Sequence, residues 1–238
     1  MAAVPLAQAQ RRLWLAKALL FVICLLPLVR AGWLVLAGSL VNPVEFITRS
    51  TGTWTLVWLW LTLAISPLKH FSGWGLPMRL RRELGLFAFF YACLHLLCYL
   101  WFDKFFDWHA IFSDLLGRPF ISIGTLALVL LLPLAITSTD GWIRRLKRNW
   151  ARLHWLVYPA ALASLLHYFL EVKLDLREPL QYALVLALLL GWRVYQRGFW
   201  RWRGAAQTLA ASGPAAASLS QTDGGLPTTR INARENAG

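Results

Sequence analysis

The sequence predicts an all-α membrane protein, a bundle of six transmembrane helices with both termini in the cytoplasm. Three observations lead to this fold. The chain of 238 residues is 58% hydrophobic, whereas soluble domains are usually about 45–50% apolar. Six stretches approach the roughly 20 apolar residues that a helix needs to cross a bilayer. The basic residues also concentrate in alternate connecting segments, as they do in membrane proteins of fixed orientation.

The candidate spans follow one another along the first 203 residues, which leaves little sequence for a soluble domain. The first span is interrupted by Pro27 and Arg30, and the second is short. The third enters the membrane after Arg81 and Arg82, and the fifth begins near Trp150. In order, the spans cover residues 13–37, 51–68, 84–102, 119–137, 151–170 and 179–196.

The formal net charge of +13 reports the orientation of these spans. If the N-terminus is cytoplasmic, the segments on that side hold 18 of the 24 Lys and Arg residues, in agreement with the positive-inside rule. The charge therefore favours contact with anionic lipid. Nucleic-acid binding is not expected, because no basic stretch lies on a folded soluble module. Residues 204–238, rich in Ala, Gly, Ser and Thr, are predicted to be a disordered cytoplasmic tail.

Three histidines, His95, His154 and His167, lie inside predicted spans and are the candidate functional residues. An imidazole is costly to bury in hydrocarbon unless something occupies it, and it is the usual axial ligand of haem iron. At a rise of about 1.5 Å per residue, His95 and His167 fall at matching depth in the outer halves of the third and fifth spans. These spans run parallel, so the two side chains can face each other and bind the iron of one haem b.

His154 lies near the inner end of the fifth span, about 20 Å from His167 along the helix axis. A second haem there would need a ligand from the third span near Arg81, where the sequence has no His. Pro159 could kink the helix enough to align the two histidines. One complete haem site is expected and the role of His154 stays open. The alternative for all three residues is hydrogen bonding between helices without a cofactor.

Four arginines are candidates for binding the acidic groups of a cofactor. Arg30 lies in the outer half of the first span, at a depth comparable to that of the expected haem, and its guanidinium could pair with a propionate. Snorkelling to the lipid headgroups is the alternative for this residue. Arg79, Arg81 and Arg82 could bind a flavin phosphate or a propionate on the inner side, or could only fix the topology.

Several segments together resemble the ferric-reductase-like transmembrane family, over roughly residues 12–200. The stretch from Arg81 to Leu86, leading to Leu94-His95-Leu96, resembles the third helix of that family. The strongest likeness lies between Trp150 and His167. Supporting segments are Ile65-Ser66-Pro67-Leu68, Arg118-Pro119-Phe120 and Thr137-Ser138-Thr139.

The resemblance implies a membrane cytochrome that holds haem b, with His95, His154 and His167 as the haem-associated histidines and metal ligands. Within the family, the chain most resembles the haem-binding subunits of periplasmic methionine sulfoxide reductase systems, which also bind FMN. That likeness implies a multi-pass protein of the bacterial inner membrane. Such a subunit passes electrons from a membrane quinol or a flavin reductase to a periplasmic molybdenum-cofactor enzyme. The partner, and not this chain, reduces methionine sulfoxide.

The chain departs from the NADPH oxidases and eukaryotic ferric reductases of this family. Those proteins carry two histidines on the third helix and a large cytoplasmic domain for FAD and NAD(P)H, whereas this chain has one His there. No Gly-rich dinucleotide motif follows residue 200, so electrons are expected from another donor.

The outer loops are slightly acidic and could offer a docking surface to a partner, with ordinary solvated loops as the alternative. Their acidic residues are Asp103, Asp107, Asp114, Glu171, Asp175 and Glu178. Two other classes of protein stay open. One is a small transporter or channel subunit that uses the histidines for protons or metal, although almost no Asp, Glu or Asn accompanies them in the spans. The other is a membrane anchor or assembly factor without redox chemistry.

Overall fold

A computed structural model describes residues 6–73, 75–172 and 175–211, and this part of the chain is helical without any β-strand. A π-helical segment, Tyr99–Asp103, follows the third helix, and a 3-10 segment, His154–Leu156, joins the seventh helix to the eighth. The α-helices in the described ranges are α1 (Leu6–Leu36), α2 (Pro43–Ser72), α3 (Leu76–Cys98), α4 (Trp108–Gly117), α5 (Pro119–Ile136), α6 (Asp140–Leu146), α7 (Arg148–Leu153), α8 (Val157–Glu171) and α9 (Arg177–Ala211).

Four helical stretches are long and apolar enough to cross a membrane, and they contain most of the predicted first, third, fourth and fifth spans. The predicted second and sixth spans lie within α2 and α9, which do not meet the same criterion of composition. Trp and Thr residues lower the mean hydropathy of α2, although its 30 residues exceed the length that a bilayer requires. The count of six spans therefore stays a prediction. The four stretches are Gln10–Leu36, Leu76–Asp103, Pro119–Ile136 and Arg148–Glu171.

The chain forms two compact units, residues 1–190 and 191–238. The first unit contains α1 to α8 and all the residues of the candidate site. In the described part of the second unit, the rings of Trp192 and Tyr195 lie 6.0 Å apart. Helix α9 continues to Ala211, beyond residue 203, where the predicted membrane domain ends. Residues 212–238 of the predicted tail lie outside the described part of the chain.

Two antiparallel helix pairs form the frame of the first unit. Helix α2 packs along α3, and α5 packs along α8. Contacts between α3 and α5 join the two pairs. The buried core between the helices includes Leu59 of α2, Tyr91 of α3, Ala160 of α8 and Leu186 of α9. This arrangement places the last turns of α3 and α8, which carry two of the three histidines, beside the first turns of α2 and α5.

Candidate functional site

The structure brings together His95 of α3 and His167 of α8, the two histidines that the sequence analysis pairs. Their ring centroids lie 6.0 Å apart, and the ring planes are inclined by 76°. Both residues are partly buried between the helix pairs. The matching depth predicted from the rise per residue is therefore accompanied by direct proximity in space.

Each imidazole of this pair forms a hydrogen bond to a main-chain carbonyl of the neighbouring helix. Nδ1 of His95 lies 2.9 Å from the carbonyl oxygen of Thr48, and Nδ1 of His167 lies 2.7 Å from that of Phe120. A carbonyl oxygen only accepts, so Nδ1 carries the proton in both rings. The tautomer leaves the lone pair on Nε2, the form in which an imidazole ligates a metal.

A glycine stands where each imidazole crosses the neighbouring helix. A Cβ atom built on Gly52 would lie 3.1 Å from Cε1 of His95, and one built on Gly124 would lie 2.8 Å from Nδ1 of His167. In an α-helix the carbonyl of residue i accepts the N–H of residue i+4. The N–H groups of Gly52 and Gly124 are therefore the helical partners of the Thr48 and Phe120 carbonyls, which also accept hydrogen bonds from the histidines. A side chain at either position would occupy the space of the imidazole.

The starts of α2 and α5 determine where these carbonyls lie. Asn42 caps α2, and its side chain accepts the N–H of Glu45 at 3.2 Å, with Pro43 at the first helical position. Helix α5 begins with Pro119 after the extended residue Arg118. Proline suits the first turn because its fixed φ is helical and its missing N–H has no partner to lose there. Both helices therefore begin at a defined residue shortly before the carbonyl that accepts the hydrogen bond, which belongs to Thr48 in α2 and to Phe120 in α5.

The carbonyl residue, the glycine and the histidine are separated by the same numbers of residues in both helix pairs. Each glycine precedes its histidine by 43 residues, and each carbonyl residue precedes it by 47. The sequence analysis missed Gly52 and Gly124, because a glycine in an apolar helix has many structural explanations. The sequence feature that could have identified them is the equal number of residues between each glycine and its histidine. This equal separation indicates two similar helix pairs.

The geometry of the histidine pair fits an iron porphyrin. A porphyrin supplies four nitrogens to its iron, so the protein has to provide only two axial ligands. An imidazole nitrogen lies about 2.0 Å from a bound first-row metal, which separates the centroids of two axial rings by about 6 Å. The observed separation of 6.0 Å agrees with this value. In the described ranges, no group of three His, Cys, Asp or Glu side chains is placed to hold a metal ion.

His154 lies apart from this pair. It begins the 3-10 segment between α7 and α8, its Nδ1 lies 3.2 Å from the carbonyl oxygen of Trp150, and the two rings lie 4.0 Å apart. The helix departs from α geometry over the 3-10 residues 154–156, about one turn before Pro159. The reason is that proline clashes with the carbonyl of the residue four positions before it and offers that carbonyl no N–H. His167 lies 13 residues after His154, about 20 Å on a helix, and the alignment of the two side chains by a kink at Pro159 stays a prediction.

The candidate arginines lie on α1 and at the start of α3. Arg30 is exposed on α1. Arg79 is also exposed, and Arg82 forms an ion pair with Asp140 at 2.6 Å. Arg81 is partly buried, and its charge acts on His154. Arg81 and Arg82 precede His95 by 14 and 13 residues, so about 20 Å of helix separates them from it.

An ion-pair network stabilises the loop after α3. Asp114 of α4 is only 9% exposed and pairs with Lys104 at 2.5 Å and with Arg118 at 3.3 Å. The hydroxyl of Tyr99 donates to the same carboxylate at 3.0 Å. The hydrogen bond from Lys104 is the main cause that lowers the pKa of Asp114 below its usual value of 3.8. Asp114 is therefore buried in a network that stabilises the loop, and a docking role of the other acidic loop residues stays a prediction.

Comparison with known proteins finds a matching family model and several related sequences. A family model described as "Ferric reductase like transmembrane component" matches residues 51–165, which include His95 and His154. Among curated proteins, the chain is 52% identical over 182 residues to the "Protein-methionine-sulfoxide reductase heme-binding subunit MsrQ" of Rhodospirillum rubrum, covering 76% of this chain and 88% of the relative.

Other relatives carry the same name. The MsrQ of Herminiimonas arsenicoxydans is 48% identical over 206 residues, which cover 85% of this chain and 93% of the relative. That of Xanthomonas campestris pv. campestris is 54% identical over 156 residues, 66% of this chain and 72% of the relative. No solved structure matches the chain.

Proposed function

The chain belongs to the MsrQ family of haem-binding subunits of protein-methionine-sulfoxide reductase, and from this premise we propose that it is a haem b electron-transfer subunit of the bacterial inner membrane. It relays electrons from the quinol pool, or from a flavin reductase, to a periplasmic molybdenum-cofactor enzyme that reduces methionine sulfoxide in proteins. The ferric-reductase-like match and the four apolar helices support a membrane location. The chain is the electron-transfer subunit and not the catalytic one.

The histidine pair is the observation that carries this proposal. His95 and His167 would hold the haem iron as its two axial ligands, and the haem would supply a one-electron redox centre. The carbonyls of Thr48 and Phe120 fix the tautomer and orientation of the rings through Nδ1. Such second-shell hydrogen bonds also raise the basicity of the ligating nitrogen. With both axial positions filled by protein, the site suits electron transfer and offers no open coordination position to a substrate.

His154 and the arginines have less support as cofactor ligands. His154 stacks on Trp150 far from the pair, and we assign it no axial role in the haem between His95 and His167. In the arginine cluster, Arg82 is paired with Asp140 and Arg79 is exposed. FMN is implied by the family resemblance, and the assignment of Arg81 and Arg82 to it stays a prediction.

The decisive experiment is the absorption spectrum of the purified chain and of two variants. The wild type is expected to show a Soret band and sharp reduced α and β bands of low-spin haem b. His95→Ala and His167→Ala should each lose that spectrum, because one imidazole alone cannot supply both axial bonds. His109→Ala is the matched control, since this histidine is exposed on α4.

Two outcomes would contradict the proposal, and a third would decide between its two electron donors. A colourless wild type from haem-replete cells would favour a transporter or an anchor subunit. A full low-spin spectrum in both single variants would show that other side chains bind the iron. Failure of a quinol to reduce the haem would exclude the quinol pool and leave a flavin reductase as the donor.

A further inference from the structure

One carboxylate, that of Asp114, connects the segment that follows α3 to the segment that precedes α5. The hydroxyl of Tyr99 donates to Oδ2 of Asp114 at 3.0 Å, and Nε of Arg118 lies 3.3 Å from Oδ1. The N–H of Tyr99 donates to the carbonyl of His95, so the tyrosine lies one helical turn after this histidine. Arg118 lies two residues before the residue of α5 whose carbonyl accepts the hydrogen bond from His167. The carboxylate therefore joins two residues that lie close along the chain to the anchoring points of the histidine pair.

Main-chain hydrogen bonds fix Arg118 at the start of α5. Its N–H donates to the carbonyl of Asp114 at 2.9 Å, and its carbonyl accepts the N–H of Ile121 at 3.0 Å. The hydroxyl of Ser122 donates to the carbonyl of Leu115 at 2.5 Å, which ties the first turn of α5 to α4. The arginine side chain therefore extends from a well-defined point of the backbone.

The cations around Asp114 outnumber its single negative charge. Nζ of Lys104 lies 2.5 Å from Oδ2 while Arg118 pairs with Oδ1, so both cations share one buried carboxylate. The other acidic residues of this loop, Asp103 and Asp107, are exposed, and solvent with its ions screens their charge. The contact at Nε uses one of the five N–H donors of a guanidinium. Arg118 thus has donors for a second carboxylate, and the cluster has positive charge to attract one.

Arg49 of α2 shows what an ordinary surface arginine looks like in this protein. It follows Thr48, whose carbonyl accepts a hydrogen bond from a histidine, and its Nε also faces a carboxylate four residues earlier. That contact, to Glu45, is 3.8 Å long, and the carboxylate side chain is 60% exposed, whereas that of Asp114 is 12% exposed. One cation and one exposed carboxylate balance each other there, and such surface pairs hold side chains only weakly. Arg118 is therefore the better placed of the two arginines to hold an anionic group.

We propose that Arg118 binds a propionate of the haem held between His95 and His167, with Asp114 as the residue that positions its guanidinium. This inference rests on the proposed function and adds an anchor for its cofactor. The propionates of haem b are ionised at neutral pH, and an ionised carboxylate is costly to bury without a cation. A guanidinium binds a carboxylate through a planar fork of N–H donors. Arg30, the residue that the sequence suggests for the same role, is exposed on α1, and experiment can separate the two assignments.

The test uses the purified full chain with its bound haem, and its main readout is the propionate bending band of the resonance Raman spectrum. The frequency of this band responds to the hydrogen bonds of the propionate carboxylates, so it reports their partner. Arg118→Gln is expected to shift the band and to release haem to apomyoglobin about tenfold faster, because a hydrogen bond between charged groups is lost. Arg118→Lys keeps the charge but not the fork, so it should shift the band and release haem more slowly than Arg118→Gln. Asp114→Asn should shift the band less, because the guanidinium remains but is no longer fixed.

Arg49→Gln is the matched control, since it removes an arginine that also pairs through Nε with a carboxylate four residues before it. It should change neither the band nor the rate of haem release. An unshifted band in Arg118→Gln would overturn the proposal and leave the proposed function standing. A shift in Arg30→Gln alone would transfer the role to Arg30. A wild type without haem would instead remove the proposed function itself.

A second probe applies if Arg118→Gln retains too little haem for a spectrum. The dimethyl ester of haem has no free carboxylates, so an arginine that acts on a propionate cannot contribute to its binding. The wild type and Arg118→Gln are expected to bind this ester with equal affinity when it is added to the purified chains. Weaker binding of the ester by the variant would show that Arg118 only supports the fold.

Discussion

The α2–α3 pair and the α5–α8 pair position their histidines in the same way, but they differ in how much space lies between the imidazole and the glycine of the neighbouring helix. In both pairs the imidazole donates to a carbonyl of the adjacent helix and lies over a glycine. At Gly124 a Cβ would lie 2.8 Å from Nδ1 of His167, whereas at Gly52 the nearest ring atom of His95 is 3.1 Å away. The first distance is one that real Cβ atoms almost never show, and the second requires a shift of only a few tenths of an ångström. The contact between the imidazole and the neighbouring helix is therefore closer in the α5–α8 pair than in the α2–α3 pair.

The surroundings of the pairs differ as well. The α2–α3 pair contains much of the buried core, including Leu59 and Tyr91. The α5–α8 pair contributes Leu131 and Ala160 to the same core, and the ring of Phe120 lies 6.2 Å from the ring of His167. The aromatic ring beside the imidazole is therefore a feature of this pair.

The largest difference between the pairs is expected from Gly124→Ala and Gly52→Ala. The added methyl group at position 124 should displace His167 and cost roughly 1–3 kcal/mol of unfolding free energy, as overpacking does. Haem content should fall strongly in this variant. Gly52→Ala should cost less and keep more of the haem, because a shift of only a few tenths of an ångström would relieve its contact with His95. The measurements are haem content per chain and thermal unfolding in detergent.

Gly32→Ala is the control for this comparison, since nothing lies within 4 Å of its added Cβ. It should leave the haem content unchanged. If Gly52→Ala loses haem as completely as Gly124→Ala, the difference between the two glycine–imidazole contact distances has no consequence for haem binding.

A smaller effect is expected near the C-terminal ends of the two histidine helices, where each has a tyrosine hydrogen-bonded to a carboxylate. Tyr99 donates to Asp114 at 3.0 Å, and Tyr168 donates to Glu178 at 2.8 Å. Asp114 is buried and pairs with Lys104, whereas Glu178 is exposed. Asp114→Asn should therefore lower the melting temperature clearly, and Glu178→Gln should lower it only slightly. Equal losses would show that burial of the carboxylate does not matter here.

The same network makes a pH-dependent contribution to stability. The pKa of Asp114 is lowered from 3.8 in the folded state, chiefly by Lys104. The unfolded chain therefore takes up the proton first, and the contribution is fully present well above pH 3.8. It is lost as the pH falls through the lower folded pKa. Thermal unfolding between pH 3 and pH 6 should show a steeper loss at the acid end in the wild type than in Asp114→Asn.

The smallest effect is expected from His154→Ala. His154 lies about 20 Å from the pair along its helix, and its ring contacts Trp150 and not another histidine. The variant should keep the low-spin spectrum of the haem between His95 and His167. Loss of half of the absorbance per chain would instead show a second haem at the inner end, and His154 would then be one of its ligands.

Part of the candidate site follows from the sequence because α-helices are regular. A constant rise per residue places His95 and His167 at the same depth once the orientation of the spans is known. The same count places His154 far from both. The basic cluster at the start of α3 could likewise be separated from the histidine pair by counting residues. These inferences depend only on distance along one axis, so they need no knowledge of how the helices pack.

Other features could not be read from the sequence. The burial of Asp114 accompanies ion pairs with Lys104, which precedes α4, and with Arg118, which follows it, although its position in a polar loop suggests a solvated residue. The exact place of the irregular turn before Pro159 depends on how the carbonyl ladder relaxes around the proline ring. Gly52 and Gly124 acquire their meaning only when a second helix places an imidazole over them.

The sequence by itself determined the all-helical class, the apolar stretches and the axial depth of each histidine, because hydropathy and helical rise are local properties of the chain. The tertiary structure decided which helices are neighbours and how each is rotated about its axis. That rotation directs both Nδ1 atoms to a carbonyl of the adjacent helix, since a buried ring N–H is costly without an acceptor. It also brings Tyr99 and Arg118 to the same carboxylate, that of Asp114, which no pattern along either helix pair reveals.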